Sequence, residues 1–123
     1  MSDESLYDRL GGEHAIDGIV DLFYKKVLAD DRIKRFFDDV DMESQRLKQK
    51  AFLIYSFGGP IEYTGKSLRE AHEPLLKRGL CDSHFIAICE HLVATLNELG
   101  APPDAVVEVL TFLESKRDDV LCR

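Results

Sequence analysis

The chain has 123 residues, of which 45% are hydrophobic and 32% charged, values that fit one folded domain over 1–123 and exclude a disordered chain. The formal net charge of −7 at pH 7 excludes nucleic acid and an anionic membrane surface as good partners, because both would repel the chain. No apolar run approaches the ~18–20 residues that span a bilayer. The acidic, polar start Met1–Ser5 is unlike a signal peptide, so we expect a cytoplasmic protein.

Apolar residues recur at helical spacing along almost the whole chain, and no segment alternates with the period of a strand, which predicts an all-α fold. A short helical segment around Ser5–Leu10 ends at a glycine pair, and a longer helix follows from about His14 to Ala29. The longer helix has the i, i+3, i+4 spacing of a buried face at Ile16, Ile19, Val20, Phe23 and Val27. A short turn or helix then carries Ile33, Phe36 and Phe37.

Two further helices are predicted in the middle of the chain. Asp41 is the expected N-cap of a helix that runs to about Phe57 and stops at a Gly-Gly-Pro sequence. Ser67 with Glu70 forms the pattern of a capping box, which opens a short helix. Pro74 lies inside that helix, and an interior proline costs ~3 kcal/mol, so we expect a turn or two of imperfect helix.

The last third of the chain predicts two longer helices. Asp82 is expected to cap the first, which ends at Gly100, and the second begins at Pro102-Pro103. The predicted buried positions are Phe85, Ile88, Cys89, Leu92, Leu96 and Leu99 on the first, and Val106, Val107, Leu110 and Leu113 on the second.

Histidine and cysteine spacing does not by itself identify a site. The histidines form no close metal-binding pair, and the odd cysteine count without Cys-x-x-Cys favours ordinary reduced thiols over disulfides or zinc. No nucleophile motif, phosphate loop or pair of catalytic carboxylates is present. The residues concerned are His14, His72, His84 and His91, and Cys81, Cys89 and Cys122.

One face of the helix from Asp41 to Phe57 is unusually polar. Gln45, Gln49 and Phe52 follow i, i+4, i+7 spacing, and Lys48 borders the same face. Leu47, Ala51 and Ile54 form a separate apolar face. The polar face is either solvated or the wall of a pocket with hydrogen-bond donors directed inward. The spacing leaves both interpretations open.

A series of short motifs runs in fixed order along nearly the whole chain. They are Leu6–Gly12, Phe23-Tyr24, Asp31–Phe37, Val40–Met42, Gln49–Leu53, Phe57–Gly59 and Arg69–His72. In this order and spacing the chain resembles the group I truncated haemoglobins, above all the cyanobacterial ones. The glycine pairs permit the tight turns that such a short chain needs to enclose a haem.

The resemblance implies a two-over-two helical sandwich around a haem, with helices 14–29 and 41–57 packed on helices 83–99 and 103–120. It assigns His72 as the proximal iron ligand, which leaves the opposite side of the iron open to a diatomic gas. It also implies an apolar haem wall of Phe37, Phe52, Leu75, Leu76 and Phe85, and haem-propionate contacts from Tyr63, Lys66 and Arg69.

On the opposite, distal side of the iron, Tyr24, Gln45 and Gln49 match the family's hydrogen-bonding residues. Lys48 stands where close cyanobacterial relatives have a distal histidine. It is either an exposed or propionate-paired cation, or an iron ligand when no gas is bound. Lys116 stands where some relatives have a histidine that attaches covalently to the haem, so we expect a non-covalent haem b.

The resemblance implies binding of dioxygen, carbon monoxide and nitric oxide. Hydrogen bonds to bound dioxygen would slow its release, which suits scavenging or dioxygenation better than oxygen transport. The alternative is a nitric oxide dioxygenase that works with a reductase, and weak peroxidase activity is a further possibility, so whether the protein is an enzyme stays open. A cofactor-free helical interaction module is a remote third hypothesis. We expect a monomer.

Overall fold

The computed structural model describes residues 5–59 and 67–122. Over these ranges the chain forms seven α-helices and one 3₁₀ helix and no strand, which confirms the all-α prediction. None of the described helices is long and apolar enough to cross a membrane. The helices are α1 (Leu6–Leu10), α2 (Gly12–Leu28), the 3₁₀ helix (Lys34–Phe37), α3 (Met42–Ser56), α4 (Leu68–Leu76), α5 (Asp82–Glu98), α6 (Pro103–Ser115) and α7 (Arg117–Val120).

Side-chain caps begin α3 and α4, as the sequence predicts. The Asp41 carboxylate accepts hydrogen bonds from the backbone N–H groups of Glu43 and Ser44. The Ser67 hydroxyl accepts one from the N–H of Glu70 at 3.2 Å. Pro74 lies inside α4, which nevertheless extends over nine residues. The capped first turn therefore offsets the hydrogen bond that the proline lacks.

The prediction that Asp82 caps α5 is wrong by one residue. Asp82 is the first residue of the helix, and Cys81 is its N-cap. The ring nitrogen Nδ1 of His84 accepts a hydrogen bond from the Cys81 N–H at 3.0 Å. His84, the third residue of the helix, thus makes the side-chain hydrogen bond that a glutamate makes in the usual capping box.

The last predicted helix differs from expectation in its continuity and in its buried face. It is interrupted at Lys116, so α6 and α7 are separate helices. Val107 is 64% exposed and Leu110 38%, whereas Ala105 and Val109 are fully buried. Apolar residues occupy almost every side of α6, so their period could not fix which side faces inward.

Two helical layers enclose the main core. α2 contacts α3 on one side and α5 on the other, and α5 contacts α6. The packing of the pair α2 and α3 on the pair α5 and α6 is the two-over-two arrangement that the resemblance implies. Lys50 on α3 bridges to Glu13 and Asp17 of α2 at 3.0 and 2.8 Å, which ties the two helices of one layer together.

Candidate functional site

A buried tyrosine and a glutamine form a polar pair within the apolar core. Tyr24 on α2 is 2% exposed. The side-chain amide Nε2 of Gln45 on α3 donates a hydrogen bond to the Tyr24 hydroxyl oxygen at 3.1 Å. No described residue accepts the hydroxyl hydrogen of Tyr24. Buried hydrogen-bond donors normally have an acceptor. The hydroxyl hydrogen of Tyr24 is therefore suited to donation to a bound ligand.

The environment of Tyr24 keeps its hydroxyl protonated. Burial raises the pKa of Tyr24 above the ordinary value of 10.0, against the opposing effects of the Gln45 hydrogen bond and the Arg46 charge. A raised pKa in a phenol favours the neutral O–H form, which is the donor.

Two aromatic rings pack against Tyr24, and a third aromatic ring lies further along α3. Tyr24 makes edge-to-face contacts with Phe23 at 5.1 Å and with Phe37 at 5.9 Å between ring centroids. The ring centroid of Phe52 on α3 lies 6.4 Å from that of Phe112 on α6. Phe37 and Phe52 are both half-buried, which leaves part of each ring available to an apolar ligand.

The polar face of α3 is divided between the interior and the solvent. Gln45 and Gln49 are half-buried, whereas Lys48 is exposed. The bond from Gln45 to Tyr24 favours the pocket-wall interpretation of this face for Gln45. The predicted apolar face is wrong for Leu47, which is 63% exposed. Ile54 on the same predicted face is 1% exposed.

α4 supplies the remaining predicted ligand residues. His72 is half-buried, as are Leu75 and Leu76. Leu75 packs against the main core cluster, which orients one side of α4 towards the interior. Arg69 is exposed, and its Nη2 lies 3.5 Å from a carboxylate oxygen of Asp119. Arg69 therefore already has a carboxylate partner within the chain.

Three other predicted site residues lie apart from this group or outside the described residues. Phe85 is buried in a second cluster with Cys89 and Leu121 rather than in the main core. Tyr63 and Lys66 lie outside the described ranges 5–59 and 67–122.

The other histidines have different surroundings. His91 Nε2 lies 2.6 Å from an Asp30 carboxylate oxygen, and the His84 ring contacts Phe36 edge-to-face at 5.0 Å. His14 is exposed. The described residues contain no group of three or more His, Cys, Asp or Glu that could hold a metal ion.

Sequence reasoning missed a reciprocal arginine link beside α4. Arg35 Nη1 donates to the Arg78 carbonyl at 2.6 Å, and Arg78 donates back to the Arg35 carbonyl. The Arg35 guanidinium also lies 4.2 Å from the centroid of the Phe36 ring. The link joins the 3₁₀ helix to the segment after α4. Its members are 43 residues apart, so no local pattern could have revealed it.

The model of the bacterial-like globin family matches residues 5–121. The chain is 55% identical over 106 residues to the group 1 truncated haemoglobin GlbN of Synechocystis sp. PCC 6803, which covers 85% of this chain and 86% of that protein. It is 45% identical over 118 residues to the group 1 truncated haemoglobin of Tetrahymena pyriformis. That alignment covers 96% of this chain and 95% of the Tetrahymena protein. The chain therefore belongs to the bacterial-like globin family.

Within that family the relatives are group 1 truncated haemoglobins, as the sequence motifs predicted. A crystal structure of the 2/2 haemoglobin of Synechococcus sp. PCC 7002, with covalently attached haem, superposes with a TM-score of 0.94 at 48% identity. The alignment covers 98% of this chain and all of that one. The Tetrahymena pyriformis protein superposes with a TM-score of 0.89 at 45% identity, over 96% of this chain and 98% of that one.

Proposed function

We propose that this protein binds a haem b non-covalently through His72 and that it binds dioxygen and other diatomic gases at the iron. The observation that carries the proposal is the buried Tyr24 hydroxyl, which accepts a hydrogen bond from Gln45 and keeps its own hydrogen to donate. Membership of the globin family supports haem as the group beside it.

The residues present fit a haem. Neutral imidazole is a common axial ligand of haem iron, and His72 lies one turn before the inward-packed Leu75 on α4. The half-buried rings of Phe37 and Phe52 offer apolar contacts to a porphyrin. Leu76 and Phe85 are further proposed wall residues, and Arg69, Tyr63 and Lys66 are the proposed propionate contacts. When bound, haem iron supplies the position at which a diatomic gas is held.

The chain's own residues would stabilise a gas that acquires negative charge on binding. The Tyr24 hydroxyl would donate a hydrogen bond, worth ~1 kcal/mol or more, and a donor to a charged acceptor is worth more than one to a neutral acceptor. Gln45 orients Tyr24 through the observed hydrogen bond, and Gln49 is a second proposed donor on the same face of α3. The buried setting of Tyr24 excludes competing water.

Two lysines bear on the sixth ligand of the iron and on how the haem is attached. We propose that Lys48 binds the iron when no gas is present, which requires its exposed ammonium to lose a proton and move inward. Lys116 Nζ lies 5.7 Å from the centroid of Phe112. A lysine there supports a non-covalent haem, unlike the covalently attached haem of the Synechococcus protein.

A nitric oxide dioxygenase that uses the same residues is the second candidate function. The hydrogen bond donor at Tyr24 favours slow release of dioxygen, and long-lived bound dioxygen can react with nitric oxide. A reductase would have to return the iron to the ferrous state.

The free thiols of Cys81, Cys89 and Cys122 support the proposed cytoplasmic setting, and a monomer remains our expectation.

Absorption spectra of the purified protein supplied with haem test the proposal. We expect a Soret band that shifts when carbon monoxide is added to the dithionite-reduced protein, and that is lost in His72→Ala. Extraction with acidic solvent should remove the haem. Absence of a Soret band in the wild-type protein after haem is supplied would contradict the proposal. Sustained consumption of nitric oxide by the oxygenated protein with a reductant would favour the dioxygenase.

A further inference from the structure

The helix that carries His72 is held by the last residues of the described chain. α4 contacts α7, the short helix after the interruption at Lys116. We name residues 117–122 the C-terminal strap.

Two of the contacts between the described residues of the strap and the first turn of α4 involve Arg69. A carboxylate oxygen of Asp119 lies 3.5 Å from Nη2 of Arg69. The thiol of Cys122 donates to the Arg69 carbonyl oxygen at 3.5 Å. Arg69 precedes His72 by three residues, so the two are neighbours on one side of the helix. The strap therefore acts on the helical turn next to the proposed ligand.

The strap is itself anchored on α5, a helix of the core. Leu121 is 6% exposed and packs in the second cluster with Phe85 and Cys89. Arg117 Nε lies 3.2 Å from a carboxylate oxygen of Asp82, and its guanidinium lies 5.2 Å from the centroid of Phe85. The strap therefore contacts α5 on one side and Arg69 of α4 on the other, and it joins the two helices.

The backbone at Cys122 is strained in the conformation that makes this bridge. Its φ is 54°, in the left-handed region that residues with a Cβ atom rarely adopt. Such strain persists where the surrounding contacts determine the conformation. Burial of Leu121 and the hydrogen bond of Cys122 to Arg69 are those contacts.

The other end of α4 is held separately, by the reciprocal link of Arg35 and Arg78. With that end fixed, the strap limits the remaining freedom of the N-terminal half of α4. We propose that the C-terminal strap is a positioning element for His72, with Asp119 and Cys122 as positioning residues. This inference rests on the proposed function, because the strap would set how His72 approaches the iron.

The test is a double variant, Asp119→Asn with Cys122→Ala, in the haem-loaded protein. We expect the backbone amides of residues 71–73 to exchange hydrogen roughly fivefold faster, the combined effect of losing an exposed ion pair and a weak thiol hydrogen bond. The iron–histidine stretching band in the resonance Raman spectrum of the ferrous protein should shift or broaden. Cys122→Ser, whose hydroxyl can donate to the same carbonyl, should behave as wild type.

The matched control is Asp104→Asn. It removes the ion pair of Asp104 with Arg9 at 2.6 Å, away from both α4 and the strap, and should leave exchange in α4 and the Raman band unchanged. Equal acceleration of exchange in α2 and α4, or an unchanged band with unchanged exchange, would overturn the inference. If the wild-type protein bound no haem, the proposed function would fail, while exchange in α4 would still test the strap.

Discussion

At the scale of single residues, the proposed function makes the Tyr24 hydroxyl the group that sets how tightly dioxygen is held. Tyr24→Phe removes the donor, so we expect dioxygen to dissociate roughly tenfold faster, the equivalent of ~1.4 kcal/mol. Stopped-flow replacement of dioxygen by carbon monoxide measures this rate. Tyr55→Phe, which removes a phenol hydroxyl from an exposed side chain of α3, is the control and should leave the rate unchanged. A wild-type rate in Tyr24→Phe would contradict this role.

The pH dependence of that rate follows from the raised pKa of Tyr24. A phenol whose pKa is raised in the folded protein keeps its proton to a higher pH than a free tyrosine. We therefore expect the dioxygen dissociation rate to stay constant from neutral pH through the ordinary tyrosine range near 10, and to rise only above it. A rise centred below pH 10 would show that another group controls the rate.

Lys48 gives a third prediction at the residue scale. If its amine binds ferric iron after losing a proton, the low-spin absorption bands of the wild-type protein should grow as the pH rises. Lys48→Ala should lack this change, whereas Lys77→Ala, which removes another exposed lysine, should keep it. Identical spectra of wild type and Lys48→Ala across the pH range would exclude Lys48 as a ligand.

At the scale of helices, α4 depends on its N-cap because Pro74 weakens its interior. Ser67 accepts a hydrogen bond from the Glu70 N–H, so Ser67→Ala should lower the free energy of unfolding by about 1 kcal/mol. Urea unfolding followed by circular dichroism measures the change. Ser67→Asp retains a capping oxygen and should stay close to wild type. A full loss of stability in Ser67→Asp would mean that the hydroxyl has a role other than capping.

At the scale of the whole molecule, Asp30 joins the end of α2 to α5 and to the following turn. Its carboxylate lies 2.6 Å from His91 Nε2 and 2.7 Å from Arg32 Nη2, and its side chain is 10% exposed. Chiefly through the Arg32 hydrogen bonds, and also through His91, its pKa is held far below the usual value of 3.8. A carboxyl with a lowered pKa in the folded protein stabilises the fold in its ionised form.

Asp30→Asn should therefore be less stable than wild type at pH 7, by about 2 kcal/mol for bonds to a charged group. The difference should be complete above the ordinary carboxyl pKa near 4 and should shrink as the pH falls further, because the wild-type carboxylate then takes up its proton. Urea midpoints measured between pH 7 and pH 3 test this. Asp39→Asn, at an exposed carboxylate, should show no such trend. A difference that stayed constant with pH would mean that the carboxylate charge is not responsible.

The sequence by itself determined the helices except for the break at Lys116, their caps at Asp41 and Ser67, and the family, because these features depend on neighbours within a few residues or on motifs in fixed order. Only the tertiary structure decided which side of α6 faces inward, since apolar residues lie almost all round it. It also decided the contacts of Gln45 with Tyr24, of Arg35 with Arg78 and of the strap with Arg69, whose partners are 21, 43 and 53 residues apart. Such contacts exist only after the layers have packed, so no local pattern of residues encodes them.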